Sequence, residues 1–230
     1  MSIPIIVATI KSWNIANARQ FAKRYAGMYD VTIISHRDEF IEEQIAEIQP
    51  KYIFIPHWSW IIPPEIHEKY ECILFHMTDL PYGRGGSPLQ NLIIKGHTST
   101  MISALRVTSG LDAGPVYAKH PLSLYGTAEE IFLRASDIVF SNMIPIILKD
   151  HPTPKEQFGE QTIFKRRTPN DSDLTTAQTL HEVYDMIRML DAEDYPPAFL
   201  EVNDFVFEFK RPSLKQSSIL ADVVIRRKNE

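Results

Sequence analysis

The sequence predicts an α/β fold: a Rossmann-like, mostly parallel sheet with helices on both faces, plus a small C-terminal α/β appendage. Three observations predict it. Short continuous apolar runs, as expected of strands buried on both faces, alternate with helix-period segments through the first 150 residues. The texture then changes at the proline-punctuated stretch HPTPKEQFGEQ, which begins at His151. A chain of 230 residues with 44% hydrophobic content can fill one large core and a smaller second part. The expected division is a domain over 1–150 and a subdomain over 151–230.

Residues 3–9 (IPIIVAT) read as the first strand, followed by a helix for which Asn14 is a good N-cap and Ala18, Phe21, Ala22 and Tyr25 form the apolar stripe. Gly27 can stop it. VTIIS at 31–35 is the second strand and 37–48 the second helix. YIFIP at 52–56 is the third strand, after which Pro63 and Pro64 open a short helix closed by Tyr70. CILF at 72–75 is the fourth strand and ends at His76. A helix near 87–96 and strands at 100–108 and 115–120 follow. Residues 128–149 predict one long amphipathic helix carrying Ile131, Ala135, Ile138, Val139, Met143 and Ile146 on one side. In the tail, FKRRTPND is basic, 176–190 reads as a helix, YPPAF as a turn and FVFEFK at 205–210 as an edge or hairpin strand.

Composition and motifs remove several function classes. A net charge of −5 and a pI near 5.9 give no broad basic surface for a nucleic acid. No run approaches the length of a membrane span, and the N-terminus reads as a strand rather than a signal peptide, so the expected location is the cytoplasm. The single cysteine, Cys72, lies in the apolar run ECILF and reads as a buried reduced thiol. The turn after the first strand, TIKSWNIA, holds no glycine, which argues against both a dinucleotide fingerprint and a P-loop. It still leads into a helix N-terminus, where backbone N–H groups attract an anion and Lys11, Ser12, Trp13 and Asn14 stand ready to contact one. The eight histidines are scattered without metal-ligand spacing, so no metal is expected. No nucleophile motif is present.

What remains is FHMTDLPYGRGGSPLQ at 75–90, with three of the nine glycines in four positions behind a histidine, and VTSGLDAGPVY 36 residues after that histidine. His76 and Asp112 both sit in loops that follow strands, which suggests one edge of the sheet for both.

These two segments resemble the folate-dependent N-formyltransferases, and the wording around FHMTDLP and RGGSPLQ is similar to the sugar N-formyltransferases of the pseudaminic-acid type and to related peptide-synthetase formylation domains. The resemblance covers roughly residues 3–148. It implies a formyl group carried from 10-formyltetrahydrofolate to the amine of a nucleotide-linked amino sugar, with no nucleic acid or membrane partner. Methionyl-tRNA formylation ranks below that reading, because the tail leaves little room for the further barrel domain of those enzymes. A formyltetrahydrofolate hydrolase and a catalytically inactive folate- or sugar-binding module rank with it. By resemblance, His76 and Asp112 are catalytic. Trp58, Ser59, Trp60 and Ile61, with Val107, Thr108, Ser109, Gly110 and Leu111, would line the pterin. Arg84, Gly85, Gly86 and Ser87 join Lys11–Asn14 on the acceptor side. The family places an asparagine two residues before the histidine, and here that residue is Leu74. His57 is the leading candidate to supply the missing donor, with Thr78 and Ser87 behind it. The strand FVFEF could pair across a homodimer.

Overall fold

In the computed structural model, which describes residues 2–228, β1 (Ile3–Thr9) lies inside a six-stranded sheet of order β2-β1-β3-β4-β6-β7. β2 (Tyr29–Ile34), β3 (Tyr52–His57) and β4 (Cys72–His76) run parallel to it in successive pairs. Ile5 to Ala8 are fully buried, as a strand covered on both faces requires. One face of β1, through Ile6 and Ala8, packs with Phe40, Ile45 and Ile66 around α2 (Glu42–Ile48) and α3 (Pro64–His67). The alternate residues point to the other face, on the side of α1 (Ser12–Arg24). That helix meets the long helix through the Phe21–Phe140 rings and an Asn17–Ser136 hydrogen bond of 2.8 Å.

β6 (Ser99–Arg106) departs from the parallel pattern. It pairs antiparallel with β4, Ile73 opposite Arg106 and His76 opposite Ser103. The loop after β6 therefore leaves at the amino-terminal end of β4, not at the edge where His76 lies. The sequence-based expectation that His76 and Asp112 share an edge because both follow strands is thus corrected: the loop has to double back to bring them together. β7 (Val116–Ser123) lies beyond β6.

The long helix also differs from expectation. It runs as α5 (Ala128–Ile138), a π-helical turn (Val139–Met143) and α6 (Ile144–Asp150). Pro145 has no N–H to give the preceding turn, and the wider turn absorbs that loss. The extra residue rotates the apolar stripe downstream, so Ile147 is buried and Ile146 is 47% exposed. This helix is long and apolar enough to cross a membrane by length and composition, but over half of its apolar window is covered by protein.

The chain divides into two compact units, each assembled from three stretches of sequence. One comprises Met1–Gly85, Thr100–Leu122 and Leu133–Ile163; the other comprises Gly86–Ser99, Ser123–Phe132 and Phe164–Glu230. The first contains most of the six-stranded sheet. The second contains α4 (Pro88–Ile94), α7 (Leu180–Arg188) and an antiparallel sheet of order β11-β10-β9, built from β9 (Ala198–Val202), β10 (Phe205–Leu214) and β11 (Ile219–Arg227). A short pairing of β5 (Arg84–Gly85) with β8 (Ile163–Phe164) completes the strands. The C-terminal sheet thus has three strands, against the single edge or hairpin strand that the sequence suggests, and FVFEFK lies at its centre, paired on both sides. In the second unit, a buried Asp185–Arg188 pair at 2.6 Å anchors α7, and Arg188 donates onward to the carbonyls of Leu124 and Gly126.

Candidate active site

His76 ends β4 and is buried, and both of its ring nitrogens face protein groups. Nε2 lies 2.8 Å from the carbonyl oxygen of Gly83. A carbonyl only accepts, so the proton of the neutral ring sits on Nε2. Nδ1 is then the lone-pair nitrogen, and it faces Asp112 Oδ2 across 3.7 Å. That separation is too wide for a direct hydrogen bond and leaves Nδ1 as the nitrogen an incoming group can engage.

Asp112 adopts the left-handed region at φ +48°, which few L residues tolerate and Asp tolerates better than most. Its Oδ2 accepts the Gly85 N–H at 2.8 Å. Gly85 itself has φ +103°, open only to glycine at acceptable cost. That explains one glycine of the cluster. Gly86 has a different reason: a Cβ there would come within 2.6 Å of Arg166 Cβ, so it is the chain itself, not a ligand, that approaches.

His57 ends β3, two residues past Ile55, and Ile55 is in register with Leu74 of β4. His57 and His76 thus leave neighbouring strands at the same end. Burial first, and the nearby Lys11 second, push the His57 imidazole down to about 4. The ring is neutral at pH 7 and can offer an N–H, but no positive charge. Leu74 shares the face of β4 that carries His76 and packs against the apolar cluster of Ile53, Ile55, Ile62 and Cys72. Burial of Cys72 pushes its thiol up to about 12, with Glu71 a smaller cause, in line with an inert core thiol.

Thr78 is fully buried and its hydroxyl donates to the Gly83 carbonyl at 3.3 Å, so it is committed to the same oxygen as His76. Ser87 is the left-handed N-cap of α4, and its Oγ accepts the Arg167 N–H rather than an N–H of the helix. Arg84 donates through Nε and Nη2 to Gln157 and through Nη1 to Gln161. These bonds hold the guanidinium within the loop system.

Around β3's exit the aromatic rings form a continuous group. Trp58 meets Phe40 at 5.2 Å and Trp60 at 5.0 Å, and Arg37 lies over the Trp60 ring. Trp58 and Val107 pack on one apolar cluster, so the two segments expected to line a pterin meet there. In the same two segments Ser59, Ile61 and Leu111 are exposed, Ile61 at 88% and Leu111 at 65%. Thr108 is partly covered, while Ser109 and Gly110 are at the surface of the loop.

α1 starts earlier than expected. Lys11 is its N-cap, without a side-chain cap, and Ser12 is its first, exposed residue. Asn14 is therefore inside the first turn, 3% exposed, and its Oδ1 has no hydrogen-bond partner among the described residues. Lys11 is 8% exposed with its ammonium 5.9 Å from the Trp13 ring centroid, and Trp13 in turn meets His57 edge-on at 6.4 Å. No group of three or more metal-type ligands occurs among the described residues.

Two residues with clear roles in this geometry are not legible from the sequence. Gly83 acts through its carbonyl, which no side-chain motif reveals. Gln157 lies in what reads as a connector, and its partners are 43 to 73 residues away.

Residues 7–132 match the family model described as formyl transferase, and residues 169–226 match the model of the C-terminal domain of methionyl-tRNA formyltransferase. The second match corrects the expectation that the tail has no counterpart of that domain. A solved structure titled methionyl-tRNA formyltransferase from Clostridium thermocellum is 52% identical, with a TM-score of 0.97 over 98% of this chain and 100% of that one. A sugar N-formyltransferase from a Shewanella species shares the fold at 14% identity, with a TM-score of 0.64 over 96% of both chains. A curated relative, methionyl-tRNA formyltransferase of Thermodesulfovibrio yellowstonii, is 23% identical over 84% of this chain and 64% of its own length. The chain spans about half to two thirds of the curated relatives it matches.

Proposed function

The chain belongs to the formyl transferase family, and on that premise we propose that it transfers a formyl group from 10-formyltetrahydrofolate to a primary amine at His76 and Asp112. The observation that carries this reading is the buried His76–Asp112 pair, 3.7 Å apart, with the Trp58 and Val107 segments meeting on a shared cluster. We take 1–150 as the part that carries the chemistry and 151–230 as its appendage.

Acyl transfer between two amines needs a donor where an oxyanion develops and a carrier for the proton that leaves the attacking nitrogen. His76 Nδ1 can take that proton. Once protonated, it can donate to the developing oxygen, while Asp112 balances the charge that results. As the intermediate collapses and the formyl–N10 bond breaks, the same proton passes to N10, which leaves as neutral tetrahydrofolate. His57 is the group we propose in place of the usual asparagine, as a neutral N–H donor. The pterin would lie along Trp58–Ile61 and Val107–Leu111.

For the acceptor, the comparisons favour the aminoacyl end of methionyl-tRNA: a relative of matching length and 52% identity carries that name, and 169–226 match its C-terminal-domain model. This reverses the preference drawn from the sequence alone, which set nucleic acid aside. A nucleotide-linked amino sugar is the second reading, favoured by the full-length fold match to a sugar N-formyltransferase and by the acidic net charge of −5. In either case a phosphate of the acceptor would meet Lys11–Asn14.

The test is one assay series. Purified protein and 10-formyltetrahydrofolate are offered methionyl-tRNA and, separately, a panel of nucleotide-linked amino sugars. A mass gain of one formyl group on the tRNA-borne methionine supports the first reading, and a gain on a sugar supports the second. Tetrahydrofolate released with no acceptor labelled would mean hydrolysis and overturn both.

A further inference from the structure

Gln157 is partly buried in a segment whose neighbours Lys155, Glu156, Phe158 and Gly159 are exposed. All three hydrogen-bonding groups of its amide are used. Nε2 donates to the carbonyls of Asp112 and Gly114, both at 2.8 Å. Oε1 accepts from Arg84 Nη2 at 2.7 Å and from Arg84 Nε at 3.1 Å. The segment cannot drift, because Lys155 exchanges two backbone hydrogen bonds with Val116, at 2.7 and 2.9 Å.

One amide thus ties together two peptides. The first carries Asp112 in its left-handed conformation and turns back its carbonyl. The second contains Arg84, whose neighbour Gly85 grips the Asp112 carboxylate. A residue at positive φ relaxes unless its surroundings hold it. Relaxation here would swing the carboxylate away from His76. We propose that Gln157 is the positioning residue of Asp112: it fixes the strained turn and, through Arg84, the loop that holds the carboxylate opposite His76 Nδ1. This rests on the proposed formyl transfer for its kinetic consequence, but not for its structural one.

The experiment uses Gln157→Leu and Gln157→Glu, each made in the parent and in Asp112→Asn. The glutamate keeps the contact with Arg84 but turns an oxygen toward two carbonyls, so both variants should behave alike. In the parent, kcat should fall about tenfold or more with KM for both substrates within about twofold, and in Asp112→Asn the further loss should be under about twofold, as for groups that act as a unit. Independently of turnover, amide hydrogen exchange should show the Gly85 N–H losing protection by about tenfold while the β1 amides keep theirs. If the parent formylates nothing, the functional reading falls and the Gly85 exchange still decides on Gln157. Equal kinetic losses in both backgrounds, unchanged Gly85 exchange, or loss of protection throughout β1 in both variants would each overturn the assignment.

Discussion

His76 and Asp112 face one another across 3.7 Å, with the other imidazole nitrogen tied to the Gly83 carbonyl. The gap matters as much as the pairing. A closed hydrogen bond would occupy Nδ1, whereas at this spacing an attacking amine or a water can bridge Nδ1 and Oδ2 from one side, within hydrogen-bond distance of both.

The first prediction concerns that pair. His76→Ala and Asp112→Asn should each lower kcat by about 100-fold or more, the scale seen when a group acting mainly in the transition state is removed. Circular dichroism should show the fold retained. Activity within a few-fold of the parent for both variants would remove them from the reacting centre.

The second prediction concerns the entrance to α1. Lys11→Ala should raise KM for the acceptor and leave KM for the folate nearly unchanged, because the helix N-terminus and the ammonium together suit a phosphate. Steady-state kinetics with each substrate varied in turn would check it. A uniform effect on both substrates would point to damage of the site rather than loss of an anion contact.

The third prediction concerns Leu74. An asparagine there would place its amide against Ile53, Ile55 and Ile62, and an unpartnered buried polar group costs ~1–3 kcal/mol. Leu74→Asn should therefore lower Tm and leave kcat the same or lower, while His57→Ala lowers kcat with little change in Tm. A faster Leu74→Asn enzyme with an indifferent His57→Ala would show that nothing has replaced the asparagine.

The fourth prediction is a pH dependence of stability. Unfolded, the His57 imidazole titrates near 6.5; folded, it is lowered to about 4. Between those values the unfolded chain holds more proton. Stability from this group is full above pH 6.5, falls as the pH drops, and levels below about 4, a loss of at most about 3 kcal/mol. Thermal melts at pH 7 and 4.5 should show a larger fall in Tm for the parent than for His57→Gln. Equal falls would mean that His57 is solvated in the folded state.

Much of this was legible in the sequence because local rules governed it. The apolar runs at 3–9, 52–56 and 72–75 form strands because two buried faces leave no polar position, and His76 with Asp112 stood out as titratable groups among glycines. Long-range geometry was not legible. Nothing local tells β6 to run antiparallel, so the sequence does not give the route by which Asp112 comes within 3.7 Å of His76. Pro145 signalled a disturbance in the long helix, but not that a π turn would shift the buried stripe from Ile146 to Ile147. β11 went unread because IRR at its end and Asp222 within it break the alternation, and two of those residues find partners only across the sheet, Arg226 with Glu208 and Asp222 with Arg211. Gln157 could not have been read at all, since a glutamine in a polar connector carries no signal until its partners arrive.

The burial of Cys72 has a practical reach. The sequence has one cysteine, and its thiol, pushed up to about 12 inside β4, offers almost no thiolate to an alkylating reagent at neutral pH. Maleimide is therefore expected to leave the folded native chain unlabelled. A cysteine introduced at exposed Ser59, between Trp58 and Trp60, would be the one labelled position, so a fluorophore or nitroxide could be set at the rim of the aromatic group without first stripping the background thiol from the core.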